Sequence, residues 1–398
     1  MALKQPKEFT LQDAQDRYCQ KEMLATTAMY GPWTPQGEFD FSSYESLVRR
    51  CLLSGSVPAT NVDTTWAIYN DWALTKELIW RTAALASELA DSIAVDRPLL
   101  VAGLNTNSSE LSLGQIAPEI LRQIKEIDHG LRERGLTKRI RYMPVPDRRL
   151  YDAAPAEKLA VIREIGRVIG DYTDLGFVFF ELDIGIPGFG SNYTLEELAD
   201  IFSRTPEIQE YKSALITQKA LYTCVYDFCD DLARLKLIEE IAPQRIQFST
   251  GNDWFIHLAR MGKRIDRHGY LLGASQISVE LFKMWREFVQ AGKPCALALE
   301  QDLQAAAKDF WTPGNVGIYR HYIAIFLAVT GQIAHPLPHP RCDSRYIVQA
   351  EDYFLPIKHA LRLGLLDSSD LVALVRNVVP GWADQSSAAI RRRTAFLN

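Results

Sequence analysis

The chain has 398 residues, with 44 Lys and Arg against 49 Asp and Glu, for a net charge of −5 and a pI near 5.9. Such a balance argues against nucleic acid as the main ligand, because phosphate contacts need clustered cations; the basic runs RIRYMPVPDRR and IRRRTAF are local and read as solvated faces. With 47% hydrophobic and 23% charged residues the composition is that of a globular protein long enough for one large core.

The first 24 residues are polar, carry no apolar leader segment, and read as an N-terminal extension. From there strand-like runs alternate with helical ones. ATTAMYG (25–31) is followed by the helical SSYESLVRRCLLSG, and SVPATNV by ALTKELIWRTAALASELADSIA. PLLVAGLN (98–105) precedes IAPEILRQIKEIDHGLRERG, and RIRYMPV precedes AEKLAVIREIGRVIGDYTDLG. FVFFELD (177–183) precedes TLEELADIFSRT; EIQEYK (207–212), RIQFST and GYLLGA follow, each with helical sequence behind it. Eight strand-then-helix units predict a parallel sheet closed as a (β/α)8 barrel over residues 25–290. No GxGxxG follows the first strand, against a dinucleotide-binding open sheet. After residue 290 the strands stop, and residues 291–398 read as a C-terminal helical subdomain broken by AHPLPHPRCD. No run of about eighteen apolar residues marks a membrane span. The six cysteines (Cys19, Cys51, Cys224, Cys229, Cys295, Cys342) are scattered without a CxxC pair, as in reduced, cytoplasmic proteins.

In barrels of this kind functional groups sit at the C-terminal ends of the strands. Two adjacent hydroxyls, Thr64 and Thr65, end strand two, where with backbone N–H groups they suit a small carboxylate. Strand six ends at Lys212. Alternation puts Ile208, Glu210 and Lys212 on one face and Gln209 and Tyr211 on the other. A lysine inside a barrel loses solvation, its pKa falls, and the neutral amine can attack a ketone. Glu210 lies two residues away on the same face, roughly 7 Å by strand geometry. As an anion it favours the ammonium. Three readings stay open: Glu210 is protonated, it shares a proton with Lys212, or the lysine is no nucleophile. His335, His339 and Cys342, beside Asp343, have a spacing a metal can use, but prolines interrupt the run and a surface connector is the expectation. Asp253 and His257 read as capping and packing residues, and Asp227, Asp230 and Asp231 as a solvated helix face.

The order of these stretches resembles the dihydrodipicolinate synthase/N-acetylneuraminate lyase family of Schiff-base barrels. TPQGEFDFSSYESLV (34–48) resembles its opening loop and first helix. VDTTWAIYNDWALTKEL (62–78) resembles its Gly-Thr-Thr-Gly-Glu segment and the Leu-Thr-x-x-Glu beyond it. LLVAGLNTNSS (99–109) resembles the third strand and its turn, and TPEIQEYKSA (205–214) the lysine strand. FSTGNDWF (248–255) and GYLLGASQIS (269–278) resemble strands seven and eight, and YRHYIAIFLAVTGQI the closing helices.

The resemblance implies an imine between Lys212 and a 2-keto acid such as pyruvate, with Thr64 and Thr65 on its carboxylate and Gly273 and Ala274 lining the pocket. It also implies a homo-oligomer, with no metal and no cofactor. Asp63 stands for the first glycine of the threonine segment and Trp66-Ala67 for its Gly-Glu; Trp66 is expected to reshape the pocket and Asp63 to point away from a bound carboxylate. The tyrosine of strand five is missing. An unpaired carboxylate facing the helices is expensive, so the frame chosen for FVFFELD puts Phe177, Phe179, Glu181 and Asp183 inward. Glu181 then becomes the general acid/base, a structural ion pair being its other reading, and Tyr193 is a second substitute if its loop folds inward. The function implied is a lyase or aldolase making or cleaving a C–C bond of a 2-keto acid or 2-keto-3-deoxy sugar acid. Dehydration through the same imine, and a silent barrel that only binds, are the alternatives.

Overall fold

The computed structural model describes residues 23–88, 90, 97–107, 110–182, 190, 192–215, 228–260, 268–311, 316–342, 350–367 and 371–394. Eight strands close into a parallel barrel in sequence order. They are β1 (Met23–Ala28), β2 (Val57–Thr60), β3 (Leu100–Leu104), β4 (Ile140–Pro144), β5 (Phe177–Leu182), β6 (Ile208–Ala214), β7 (Gln247–Thr250) and β8 (His268–Leu272), with β8 pairing back onto β1. The helices between them are α1 (Phe41–Leu53), α2 (Trp72–Ser87), α3 (Ile116–Glu133), α4 (Pro155–Gly170), α5 (Leu195–Arg204) and α6 (Phe228–Ile241), with α7 (Val279–Gln290) after β8. Several start where the sequence supplies a cap. Asp40 and Asp71 accept the third backbone N–H of α1 and α2, and Thr194 and Glu197 cap α5 reciprocally.

Two expectations shift. The first strand is already under way at Met23 and ends at Ala28; beyond it the Met29 N–H donates to Ala59 O at 2.8 Å and the Gly31 N–H to Thr64 O at 3.2 Å. Among the described residues the seventh unit carries a 3₁₀ helix, Asp253–Arg260, in place of an α-helix, and Asp253 at its first residue is buried.

The strands separate two apolar layers. Ala28, Ala59, Val101, Met143, Val178, Phe180, Ala214 and Leu271 fill the barrel. Phe177, Phe179, Tyr211 and Phe248 point outward against α3, α4 and α5. Beyond α7 come α8 (Cys295–Phe310), α9 (Val316–Val329), α10 (Phe354–Arg362), α11 (Leu371–Val378) and α12 (Ser387–Arg393). They share a core with α1, α2 and Met29, Tyr30 and Trp33 beyond β1. The 3₁₀ turns that follow β7 and β8 pack against α8 and α9, so the C-terminal helices cover part of the barrel's C-terminal face. No helix among the described residues is long and apolar enough to cross a membrane.

Candidate active site

The position of Lys212 rests on a bulge. Phe177 lies beside Ile208, but the next residue, Val178, lies beside Glu210, leaving Gln209 as an extra residue in β6. Ile208 therefore joins the outer layer with Phe177, which corrects its assignment to the lysine's face. Beyond the bulge alternation holds: Glu210 and Lys212 face the interior and Tyr211 the helices.

Glu210 does not pair with Lys212. Its Oε2 accepts from Arg141 of β4 at 2.9 Å, an ion pair buried inside the barrel. The Lys212 ammonium instead stands 3.9 Å from the centre of the Phe180 ring, and among the described residues it has no ion-pair partner within 4.0 Å. Gly251 makes room for it, since a Cβ there would lie 2.6 Å from Lys212 Cε. Burial lowers the lysine's pKa to about 8, against the opposing pull of Asp253, Asp63 and Glu210.

Glu181 is not in the barrel. The interior residues of β5 are Val178, Phe180 and Leu182, so the frame expected from the sequence is inverted. Its premise was that an outward carboxylate would be unpaired, and here it is fully partnered. Arg234 of α6 donates to both its oxygens, at 2.6 and 2.9 Å. The Tyr193 backbone N–H donates at 2.9 Å, and the Tyr211 hydroxyl donates as well. Of the two readings the geometry fits the structural ion pair. Tyr193 packs on Phe179 in the same outer layer, with ring centres 5.3 Å apart, so it does not face Lys212. A cavity behind β5, lined by Thr106, Val145, Asp147, Phe180 and Tyr193, has Phe180 as its wall toward the lysine. Asp183 and the GIPGFGSN loop, apart from Gly190 and Asn192, lie outside the described residues.

Thr64 and Thr65 end up in a 3₁₀ turn, Asp63–Thr65, at the mouth. Both hydroxyls have local work. Thr64 Oγ1 donates to Met29 O at 2.8 Å. Thr65 Oγ1 accepts from the Val62 N–H at 2.7 Å. A carboxylate held by the Thr64 hydroxyl must displace the Met29 bond. Trp66, where the resembled segment has glycine, adopts φ 64°, a region costly for a bulky residue. It is fixed there by burial, by an indole N–H donated to Gly31 O at 2.9 Å, and by the Arg320 guanidinium 4.6 Å from its ring. Asp63 turns toward the same Arg320, at 3.4 Å.

At the end of β8, Ala274 donates its N–H to Asp253 Oδ1 at 3.0 Å. Gly273 leaves space for a tyrosine from α9: a Cβ there would sit 2.5 Å from the Tyr319 hydroxyl and 2.9 Å from Thr64 Cγ2. Tyr319 donates its hydroxyl to Asp253 Oδ2, and Trp311 its indole N–H to the same oxygen at 3.2 Å. Burial raises the Asp253 pKa, opposed by those bonds and by Lys212.

Asp253 reads from the sequence as a capping and packing residue only, Tyr319 and Arg320 carry no signal of their own, and Arg141, expected on the solvated face of RIRYMPVPDRR, is instead buried in the barrel against Glu210. For Asp253 a signal existed, its place just past the end of a barrel strand. Asp231, assigned to a solvated face, is buried and accepts from Ser213 and Asn252, tying α6 to β6 and β7; Asp227 lies outside the described residues. His257 binds Gln304 at 3.0 Å. His339 stacks on Tyr69 and accepts from the Arg341 N–H at 2.9 Å. Among the described residues no three His, Cys, Asp or Glu side chains stand close enough to share a metal ion, and Asp343 lies outside them.

No family model matches the chain, and no curated protein does. Solved structures do. Dihydrodipicolinate synthase from Bacteroides thetaiotaomicron superposes with a TM-score of 0.63 at 11% identity, over 86% of this chain and 98% of that one. The enzyme from Thermotoga maritima gives 0.62 at 17% identity, over 86% and 99%. A monomeric dihydrodipicolinate synthase variant gives 0.62 at 17%, over 87% and 98%. The chain is therefore built on the barrel fold of the dihydrodipicolinate synthases, at low sequence identity.

Proposed function

We propose that the protein is a lyase or aldolase of the class I type, in which the Lys212 amine forms an imine with a 2-keto acid, pyruvate or a 2-keto-3-deoxy sugar acid, and a C–C bond is made or cleaved through it. One observation carries the reading. Lys212 is buried at the barrel mouth with its charge left largely uncompensated, because the nearest carboxylate in sequence, Glu210, is engaged by Arg141. A pKa near 8 leaves about a tenth of the amine neutral at pH 7, enough for nucleophilic attack. The shared barrel fold supports the same class of chemistry. In this reading the 63–66 turn, Gly273 and Ala274 bound the substrate's end of the pocket, residues 25–290 form the catalytic barrel, and the protein works as a cytoplasmic homo-oligomer. Dehydration of a 2-keto-3-deoxy acid would use the same imine.

A silent binding barrel is the second reading, favoured by Phe180 at the interior position of β5 and by the local bonds of both threonine hydroxyls. Incubation with pyruvate, reduction with borohydride and intact-mass measurement decide between them. The expected result is one reduced pyruvate per chain, mapped to Lys212. An unmodified mass with every 2-keto acid tried would leave only the silent barrel.

A further inference from the structure

We infer that Tyr319 and Asp253 form the proton relay for Lys212, so that the C-terminal helical subdomain supplies the acid/base group that β5 lacks. This rests on the imine reading above.

The barrel's interior offers the amine no proton carrier on β5, because Phe180 fills that position with a hydrocarbon ring. Across the mouth, Asp253 is completely buried at the start of the turn after β7. It is the carboxylate that acts most strongly on Lys212, ahead of Asp63 and Glu210. Three donors fix its orientation: the Ala274 N–H, the Trp311 indole and the Tyr319 hydroxyl. Tyr319 is itself held by stacking on Trp311, ring centres 4.2 Å apart and planes within 20°. Its hydroxyl occupies the space that Gly273 leaves free, next to the Thr64 methyl. A keto acid on Lys212 and the strand-two turn therefore has a phenol beside it, hydrogen-bonded to a carboxylate whose charge reaches the amine from beyond ion-pair distance.

The step balances without any further reagent. The neutral amine adds to the carbonyl carbon, giving an alkoxide and a protonated nitrogen. Asp253 takes a proton from nitrogen while Tyr319 delivers one to oxygen, and the hydrogen bond between them resets the pair. The proton that the Lys212 ammonium gave up on becoming the free amine returns from solvent through Tyr319 to that hydroxyl, and water leaves as the nitrogen lone pair closes the C=N bond to give the iminium.

The test is the time course of adduct formation, followed by quenching into borohydride and weighing the intact protein. Tyr319→Phe keeps the stack on Trp311 and removes one oxygen. It is expected to slow the approach to the plateau about 100-fold while leaving the plateau itself unchanged, since a relay alters rate and not equilibrium. Asp253→Asn separates a relay from a plain counter-ion by sign. Losing a counter-ion frees more neutral amine and speeds the reaction at pH 7; losing a relay slows it. A folded Tyr319→Phe, judged by near-UV circular dichroism, that reacts at the wild-type rate overturns the inference, as does faster reaction of Asp253→Asn; if Tyr319→Phe does not fold, the sign seen with Asp253→Asn decides alone. In those cases the wild-type adduct survives and so does the imine reading. A wild-type protein that forms no adduct removes both.

Discussion

Two buried ionisable groups sit one strand apart and are treated in opposite ways. On the outer face of β5, Glu181 has a bidentate arginine, a phenol and a backbone N–H around its two oxygens. On the inner face of β6, Lys212 has an aromatic ring and no carboxylate within ion-pair distance among the described residues. Both are shielded from water, so burial does not tell them apart. Compensation does. A charge whose lone pairs are all occupied serves as a joint, here holding β5, β6 and α6 together. A charge left under-compensated shifts its pKa toward neutrality and stays reactive. The neighbouring pair Glu210–Arg141 lies between the two, because Arg141 occupies one glutamate oxygen and the other has no hydrogen-bond partner among the described residues, and by engaging Glu210 it permits the second.

The largest effect expected is on chemistry. Lys212→Met should abolish the borohydride-trapped adduct entirely. The same variant should be as stable as the parent or more so at pH 7, because lowering the lysine from 10.5 to about 8 corresponds to roughly 3 kcal/mol against its charged form. Mass spectrometry and urea denaturation check the two halves. A variant several kcal/mol less stable than the parent would mean Lys212 is structural.

Arg234→Met tests the other side of the contrast. Stranding the Glu181 carboxylate should destabilise the fold by about 3–5 kcal/mol. Urea denaturation checks it. A variant as stable as the parent would indicate that Glu181 is compensated without Arg234.

A third, smaller effect is the pH dependence of imine formation. Below about 8 the amine is mostly ammonium and above it mostly free. The initial rate should rise about fivefold between pH 7 and 8 and level off above 9. A rate that keeps climbing toward pH 10.5 would mean the lysine is solvated. Smallest of all, Glu210→Gln removes a carboxylate that raises the Lys212 pKa. It should move the midpoint of that profile to lower pH by on the order of a few tenths of a pH unit, besides weakening the fold through unpaired Arg141. A shift upward would mean that the glutamate does not act on the amine as an anion.

Much of this architecture was written in local pattern. Eight apolar runs alternating with amphipathic ones specify a closed parallel barrel, because each strand buries both faces and each helix one. That Glu210 and Lys212 share one face of β6, with Tyr211 on the other, likewise follows from alternation along the strand. What alternation cannot carry is an absolute frame. In FVFFELD five of seven residues are apolar, so both frames bury well, and the choice fell to Arg234, more than fifty residues on. The bulge at Gln209 flipped Ile208 for the same reason: pairing with β5 sets it, and no feature of EIQEYK announces it. Asp253, Tyr319 and Arg320 meet at the mouth only because α9 folds back over the end of the barrel. Periodicity along the chain thus determined the scaffold and the strand that bears the amine. Which charges are neutralised, and which is left to react, was decided by contacts between distant segments, since Coulomb and hydrogen-bond energies depend on separation in space and not along the sequence.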